Sequence, residues 1–256
     1  MCIMSKIHDN LQNGLPERLQ AVARRIAAAT QAAGRAAGSV GLLAVSKTFE
    51  APAVAEVARC GQGAFGENYV QEGVQKILAL RDLGFGQLQW HMIGPLQSNK
   101  TRPVAEHFDW VHSVDRIKLA ERLSEQRPAH LPALQVCIQV NVDGGPNKAG
   151  VAPPEALALA RAVQRLPRLQ LRGLMCIPEP ATEFVEQHAL FMRASALFGH
   201  IKLDEPGWNR WDTLSMGMSA DLEAAIHAGS TMVRVGTAIF GGRRAAGLTS
   251  GVEPGA

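Results

Sequence analysis

Apolar and polar positions along the chain follow a repeating order that begins near residue 40. A short apolar run is followed by a turn, and then by a stretch in which apolar and charged residues alternate with helical spacing. Each apolar run is short enough to form a buried strand. Eight such runs occur, at residues 40–46, 63–67, 88–94, 108–114, 134–141, 169–177, 211–218 and 231–236.

The stretches between these runs predict helices. A further alanine-rich helix is predicted over residues 15–34, where Pro16 and Glu17 suit a first turn. Strands that alternate with helices form a parallel sheet. Eight such units predict an α/β protein, a single (β/α)8 TIM barrel with an additional N-terminal helix. An open, doubly wound sheet is the alternative, although it would usually have fewer strands or a second domain.

The chain contains no segment that reads as a linker. We therefore expect residues 1–256 to form one domain with a core at about 15–242 and frayed tails, because residues 245–256 are rich in glycine and end near a proline. The first ten residues lack the long apolar stretch of a secretion signal, and no run approaches the 18 apolar residues of a membrane span. A cytoplasmic protein that does not associate with membranes is expected.

Composition narrows the function classes. Apolar residues make up 46% of the chain and charged residues 19%, which allows a sizeable core. The net charge of +3 comes from scattered basic residues, so no nucleic-acid surface is predicted. The four cysteines form no CxxC motif and have no clustered histidines, so neither a metal site nor a disulfide framework is expected.

Functional side chains of such barrels gather where the strands end. This rule selects Lys47 after the first strand and Asn68 after the second. After the seventh strand Ser219 is predicted to be a helix N-cap, and after the eighth Gly236 and Thr237 begin a short helix. N–H groups and hydroxyls at helix starts bind anions, and these barrels often bind phosphate after strands 7 and 8. Ordinary capping and tight turns are the alternative interpretation.

A lysine beside a phosphate site suggests two chemistries. Lys47 could neutralise a phosphorylated sugar, or form a Schiff base with pyridoxal phosphate; a lysine whose amine simply reaches solvent is the third possibility. Arg234 precedes Gly236 by two residues and so points to the same face of its strand. Pyridoxal enzymes place an acid or an arginine at the pyridine nitrogen. The alternative for Arg234 is an ion pair with a carboxylate inside the barrel.

Seven segments, in this order, resemble the pyridoxal-phosphate homeostasis protein family: LLAVSKT, FGENYVQE, WHMIGPLQSNK, VHSVD, LRGLMCIP, LSMGMSADLEAAI and VRVGTAIFG. Members of that family are single-domain barrels similar to the N-terminal domain of alanine racemase. The resemblance spans roughly residues 15–242. It implies pyridoxal phosphate as the cofactor, attached covalently to Lys47. It also implies eight cofactor-binding residues: Lys47, Asn68, Ser215, Met216, Ser219, Arg234, Gly236 and Thr237.

The resemblance also implies what these residues do. Ser219, Gly236 and Thr237 would hold the phosphate, and Arg234 would face the pyridine nitrogen. One loop departs from the family, which tends to show a Gly-Glu-x-x-Lys pattern after the fifth strand. Gly145 stands where the acid is expected, while Lys148 is retained, so the role of that loop is in doubt.

Racemisation on pyridoxal phosphate needs two acid–base groups, one on each face of the bound substrate. Lys47 can serve one face. The candidates for the other face are Tyr69, the single tyrosine, which begins a helix, and His91, which is expected to be a core residue with its hydrogen bonds satisfied. Together with the resemblance, this favours a monomeric carrier without catalytic residues, which would buffer pyridoxal phosphate and deliver it to apo-enzymes. A low-activity racemase or lyase is the alternative. A phosphosugar aldolase-type barrel ranks last, because strands 4 to 6 offer only Asp143 as a carboxylate.

Overall fold

A computed structural model describes residues 14–145 and 148–242. Its eight parallel strands pair in chain order, and the last pairs with the first to close a barrel. An α-helix precedes the first strand. The predicted TIM barrel with an additional N-terminal helix is therefore confirmed. The expectations for residues 1–10 and for the tail at 245–256 lie outside the described residues, and the single domain over residues 1–256 stays a prediction.

The strands are short, between three and seven residues, and every predicted apolar run contains one. They are β1 Gly41–Val45, β2 Ala64–Glu67, β3 Gln89–Met92, β4 Trp110–Val114, β5 Leu134–Gln139, β6 Leu169–Met175, β7 Thr213–Ser215 and β8 Met232–Val235.

Within the described residues the α-helices are α1 Leu15–Ala32, α2 Ala51–Arg59, α3 Val70–Asp82, α4 Thr101–His107, α5 Ile117–Gln126, α6 Ala156–Gln164, α7 Phe184–Asp204, α8 Leu222–His227 and α9 Thr237–Phe240. Single 3-10 turns, Ser98–Lys100 and Pro153–Glu155, precede α4 and α6. None of the described helices is long and apolar enough to cross a membrane.

Successive strand residues divide between two cores, because side chains alternate across a strand. In β1, Ala44 joins the large apolar core between barrel and helices, whereas Leu43 and Val45 pack with Ile93 of the segment after β3 inside the barrel. The same alternation places Arg234 of β8 inside the barrel, because it pairs in register with Leu43. Inward-facing positions thus decide which side chains can reach a site at the barrel mouth.

Polar side chains fill the amino end of the barrel. Arg172 of β6 binds both carboxylate oxygens of Asp212, at 2.9 and 2.8 Å, and donates to Gln135 Oε1 at 2.8 Å. Its guanidinium also lies 4.6 Å from the ring centre of Trp110. This layer occupies the interior near the strand beginnings, so open space lies at the carboxyl ends of the strands.

Candidate functional site

A cavity of about 290 Å³ opens at the carboxyl ends of the strands. This volume lies at the lower end of the range for small-molecule sites. Six of the eight predicted residues line it and two do not. Its lining consists of Val45, Lys47, Asn68, Ile93, Ile177, Met218, Ser219, Ala220, Arg234, Gly236 and Thr237.

Lys47 reaches the cavity from the turn that follows β1. It continues the inward-facing series of Leu43 and Val45, because it lies two residues beyond the second of them. The side chain is half-buried, and its ammonium makes no hydrogen bond or ion pair with any described residue. The amine is therefore available to a molecule in the cavity.

Arg234 forms the cavity floor and is almost completely buried. It donates to Ser215 O and Oγ at 2.7 and 2.8 Å, and to Cys176 O at 2.9 Å. No carboxylate of the described chain lies within ion-pair distance of it, which removes the carboxylate alternative for that part of the protein. Burial lowers the pKa of the Arg234 guanidinium, but an arginine stays cationic in proteins.

A chain of hydrogen bonds runs from Arg234 through the barrel interior. Ser215 Oγ lies 3.0 Å from His112 Nδ1, His112 Nε2 lies 2.9 Å from His91 Nδ1, and His91 Nε2 lies 3.1 Å from Gln89 Oε1. An arginine only donates and an amide oxygen only accepts. All donors are satisfied if Ser215 donates to His112, His112 to His91, and His91 to Gln89. Hydrogen-bond donation along this series therefore runs in one direction, away from the cavity.

His91 and His112, the two histidines in this series of hydrogen bonds, are neutral. Burial, with a smaller contribution from the charge of Arg172, lowers the pKa of His91 to about 3. Burial also holds the pKa of His112 well below its usual value, and the nearby His91 and Arg234 add to this effect. His91 is a hydrogen-bonded residue of the barrel interior, as predicted. Arg234 is consequently the charged member of the chain.

The third side of the cavity presents N–H groups. Ser219, Gly236 and Thr237 each have a backbone N–H that donates to no other described residue. Ser219 Oγ also accepts a hydrogen bond from Ala238 N at 3.4 Å, which brings the two loops together. A Cβ on Gly236 would lie 3.1 Å from Val45 O, so this position packs closely against β1. Unused donors beside a hydroxyl suit an anion.

The prediction that Ser219 caps the helix after β7 is wrong. Helix α8 begins at Leu222, with Asp221 in the N-cap position, and Ser219 lies in the preceding turn. The Asp221 carboxylate accepts a hydrogen bond from Met218 N at 2.6 Å and closes that turn. The turn therefore leaves the Ser219 hydroxyl free to contact the α9 start.

The two remaining predicted residues lie outside the cavity lining. Ser215 is buried beneath Arg234 and contacts it through its hydroxyl and carbonyl. Met216 faces the outer apolar core; its N–H donates to Met232 O and its carbonyl accepts from Ser230 Oγ. Ser215 thus acts on the cavity through Arg234, whereas the Met216 side chain is directed away from it.

Asn68 lines the cavity at the end of β2. Its Oδ1 atom is buried and accepts no hydrogen bond from a described residue. A buried acceptor without a partner costs free energy, which a ligand donor at the cavity wall would offset. Sequence reasoning placed Asn68 at the barrel mouth but could not show that its acceptor is open.

Five cavity residues were not predicted. Strand alternation could have found two of them, because Val45 and Ile93 each follow an inward residue by two positions. The other three are loop residues without a chemical signal in the sequence: Ile177, Met218 and Ala220.

In the loop after β5, Gly145 replaces the expected acid, and Lys148 pairs with other carboxylates. Lys148 Nζ lies 2.6 Å from Asp143 Oδ2 and 3.1 Å from Glu179 Oε1. Glu179 N also donates to Asp143 Oδ2 at 2.6 Å. Lys148 therefore ties this loop to the segment after β6 without the missing acid.

Ionisable groups are few in the cavity wall. Of the described lining residues, Lys47 and Arg234 alone are ionisable. The Tyr69 side chain is exposed and lines a neighbouring surface depression instead. Nor do the described ranges hold a group of three or more histidine, cysteine or acidic side chains that could bind a metal ion. The cavity wall therefore offers two basic side chains, unused N–H donors and the open acceptor of Asn68.

The sequence profile described as "Alanine racemase, N-terminal domain" matches residues 18–244. The chain is 58% identical over 229 residues to the pyridoxal phosphate homeostasis protein of Pseudomonas aeruginosa, covering 90% of this chain and 96% of that one. It is 53% identical over 231 residues to that of Escherichia coli K12, covering 90% and 97%. The chain belongs to the pyridoxal phosphate homeostasis protein family.

Solved structures agree with this family. PipY of Synechococcus elongatus, determined with PLP bound, is 39% identical with a TM-score of 0.76, and the match covers 89% of this chain and all of PipY. The alanine racemase of Corynebacterium glutamicum is 21% identical with a TM-score of 0.63, covering 92% of this chain but 65% of the racemase. The racemase shares the barrel fold, and a third of its length has no counterpart in the matched region.

Proposed function

We propose that this protein binds pyridoxal phosphate in the central cavity, holds it covalently on Lys47, and delivers it to apo-enzymes in intracellular pyridoxal phosphate homeostasis. One observation carries the proposal: Lys47 and Arg234, neither paired with a described carboxylate, face one small cavity that also offers unused N–H donors. The names of the P. aeruginosa and E. coli relatives and the PLP-bound PipY structure support the choice of ligand.

The residues present fit this group. Ser219, Gly236 and Thr237 would hold the phosphate, because their N–H groups are available to an anion. The open Asn68 Oδ1 fits a ligand hydroxyl. Arg234 would face the pyridine nitrogen, with Ser215 and the histidine chain fixing its guanidinium from below.

Lys47 would supply the covalent bond. Its side-chain amine would hold the group by condensing with an aldehyde, a reaction that releases one water molecule. Pyridoxal phosphate, when bound, supplies an aldehyde and an electron-withdrawing ring. Arg234 would make that ring a weaker electron sink. A guanidinium donates hydrogen bonds but keeps its proton, so it would leave the pyridine nitrogen unprotonated.

This arrangement supports a carrier over an enzyme. Arg234 limits carbanion stabilisation, and the described cavity wall holds no acid–base group besides Lys47 and Arg234. Fast racemisation needs a second proton-transfer group on the face opposite the lysine. We therefore assign no catalytic residue.

The attachment is tested by absorption spectroscopy of the purified protein with pyridoxal phosphate. The wild-type protein should develop the absorption band of a lysine-bound cofactor, and Lys47→Ala should not. Lys100→Ala is the matched control, since Lys100 lies beside the neighbouring surface depression; it should keep the band. A Lys47→Ala protein with the wild-type band would contradict the assignment.

Delivery is tested by mixing the loaded protein with an apo pyridoxal enzyme and a trap for the free cofactor. Direct transfer predicts reactivation that the trap does not slow. Reactivation that proceeds no faster than through the trapped pool would contradict delivery. Amino-acid turnover at about 1 s⁻¹ or more would overturn the non-enzymatic assignment.

We also propose that the protein acts as a monomer in the cytoplasm. The described lining residues already supply the lysine, the arginine and the N–H donors of the proposed site, so the proposal needs no residue from a second copy. The cysteines in the described ranges, Cys60, Cys137 and Cys176, are free thiols, as is usual in a reducing compartment. Light scattering of the loaded protein should give the mass of one chain; a dimer mass would contradict the monomer.

A further inference from the structure

The residues on both sides of Lys47 are held by a cluster of charged side chains from β2 and α3, which we name the Lys76 cluster: Glu67, Glu72 and Lys76. Ser46 O accepts a hydrogen bond from Lys76 Nζ at 2.8 Å. Ser46 Oγ donates to Glu67 Oε1 at 2.6 Å. On the other side, Thr48 N donates to Glu72 Oε1 at 2.5 Å.

The Lys76 cluster is internally paired. Lys76 Nζ lies 2.6 Å from Glu67 Oε1 and 3.0 Å from Glu72 Oε1. The exposed fraction of the side chain is 4% for Lys76, 0% for Glu67 and 31% for Glu72. With Ser46 O as its third partner, the Lys76 ammonium uses all three of its donors. Such a saturated buried group has one preferred geometry.

Close packing of α3 against β2 brings Lys76 within reach of the β1 end. Gly73, one turn before Lys76, is the contact point. A Cβ at this position would lie 2.6 Å from Phe108 Cζ and 3.2 Å from Glu67 Cβ. The absence of a side chain at Gly73 thus permits the helix position that the cluster requires.

Thr48 shows that the cluster acts on an unusual backbone. Its φ angle is +68°, in the left-handed region that a β-branched residue rarely adopts. The contact with Glu72 fixes the N–H of this residue in that conformation. Lys47 therefore lies between two residues that are both held by side chains of the cluster, while its own side chain is free.

We propose that Glu72 and Lys76 are positioning residues for Lys47: by fixing Thr48 N–H and Ser46 C=O, they direct the Lys47 amine into the cavity for its reaction with an aldehyde ligand. This inference rests on the proposed function. The cavity wall that would hold the phosphate, formed by Ser219, Gly236 and Thr237, does not contact the cluster in the described structure. Loss of the cluster should hence weaken covalent binding and leave the non-covalent contacts intact.

Two ligands separate these effects. Pyridoxal phosphate can bond to the lysine, whereas pyridoxine phosphate carries a hydroxymethyl group in place of the aldehyde and cannot. Dissociation constants of both are measured for the wild-type protein, Glu72→Ala and Glu72→Gln. The control is Glu106→Ala, which removes another i, i+4 ion pair, with Arg102 on α4.

Glu72→Ala should weaken pyridoxal phosphate binding about tenfold to a hundredfold, because a misdirected amine loses part of the advantage that fixed orientation gives to bond formation. Its affinity for pyridoxine phosphate should stay within about twofold of wild type, because hydrogen-bonded contacts remote from the change are largely independent. Glu72→Gln keeps an acceptor for Thr48 N–H and should lose less than Glu72→Ala. Glu106→Ala should match wild type with both ligands.

An equal loss for both ligands, or no loss for either, would overturn the positioning role. Should Glu72→Ala not fold, Glu72→Asp takes its place, because it keeps the charge beside Lys76 but shortens the reach to Thr48. A wild-type protein with no preference for the aldehyde ligand would refute covalent attachment itself. A wild-type preference that Glu72→Ala and Glu72→Asp retain unchanged would refute only the positioning role.

Discussion

Lys47 and Lys76 are two lysines near the carboxyl end of β1 with opposite surroundings. The Lys76 ammonium contacts two carboxylates and a carbonyl, and its side chain is almost wholly buried. The Lys47 ammonium contacts none of the described polar groups and borders the cavity. The difference shows why Lys47 is unpaired. The two nearby carboxylates, Glu67 and Glu72, both pair with Lys76.

Arg234 extends the comparison. It is buried like Lys76 but has neutral partners only, a hydroxyl and two carbonyls. Burying a cation without a carboxylate is costly, and Arg234 borders the cavity where an electron-rich ligand atom can approach it. Lys76 thus contacts carboxylates and the Ser46 carbonyl in the interior, whereas Lys47 and Arg234 line the cavity.

The largest expected effect comes from breaking the paired lysine. Lys76→Met leaves the fully buried Glu67 carboxylate without its cation, and losing one partner of a buried pair costs about 3–5 kcal/mol of unfolding free energy. Urea denaturation measures this. The exposed pair of Arg102 and Glu106 is the control, where Arg102→Met should cost less than about 1 kcal/mol. Equal losses in the two variants would contradict the structural role of Lys76.

Arg234→Gln tests the cation whose partners are neutral. No buried carboxylate is left unpaired, so we expect a smaller loss of unfolding free energy than in Lys76→Met. The affinity for pyridoxine phosphate should fall about tenfold to a hundredfold, which corresponds to about 1.5–3 kcal/mol for a hydrogen bond to a charged group. Calorimetric titration measures the affinity. An unchanged affinity would show that Arg234 does not contribute to ligand binding.

The histidines predict the smallest effect near neutral pH, a pH dependence of stability that grows as the pH falls. The folded-state pKa of His91 is lowered to about 3, below the unfolded value near 6.5. Between these values the unfolded state binds a proton that the folded state does not, so stability falls as the pH falls from about 6.5 towards 3. Each such histidine contributes a slope of about 1.4 kcal/mol per pH unit.

His91→Gln tests this slope, because glutamine can accept from His112 and donate to Gln89 without titrating. Urea midpoints at a series of pH values below 6.5 should fall less steeply in this variant than in wild type. The exposed His130 provides the control: His130→Gln should keep the wild-type slope. An identical slope for His91→Gln would contradict the lowered folded-state pKa of His91.

Sequence periodicity was sufficient for the barrel. Short apolar runs separated by helical stretches admit few other closed arrangements, and each run contains an observed strand. Alternation within a strand also placed Arg234 on the same face as Gly236, and the rule that functional residues follow strand ends selected Lys47. The Arg234 prediction rests on a spacing of two residues, so a small error in the strand boundary does not change it.

The remaining details depend on tertiary contacts. Ser219 was assigned as a cap because it precedes an apolar helical pattern, but Asp221 closes a turn that delays the helix start. Met216 was implied by the resemblance, yet strand alternation directs its side chain to the outer core. Lys76 carries no signal in the sequence, since a helical lysine is usually exposed; its burial follows from the close approach at Gly73.

The site of covalent attachment tests the central claim most directly. The loaded protein is reduced with borohydride, digested, and mapped by mass spectrometry. We expect the cofactor on Lys47 in the segment LLAVSKTFE. We expect Lys76 to remain unmodified, although its ammonium contacts Ser46, the residue before Lys47. A label distributed over several lysines, or found on Lys76 or Lys148 with Lys47 unmodified, would contradict the account.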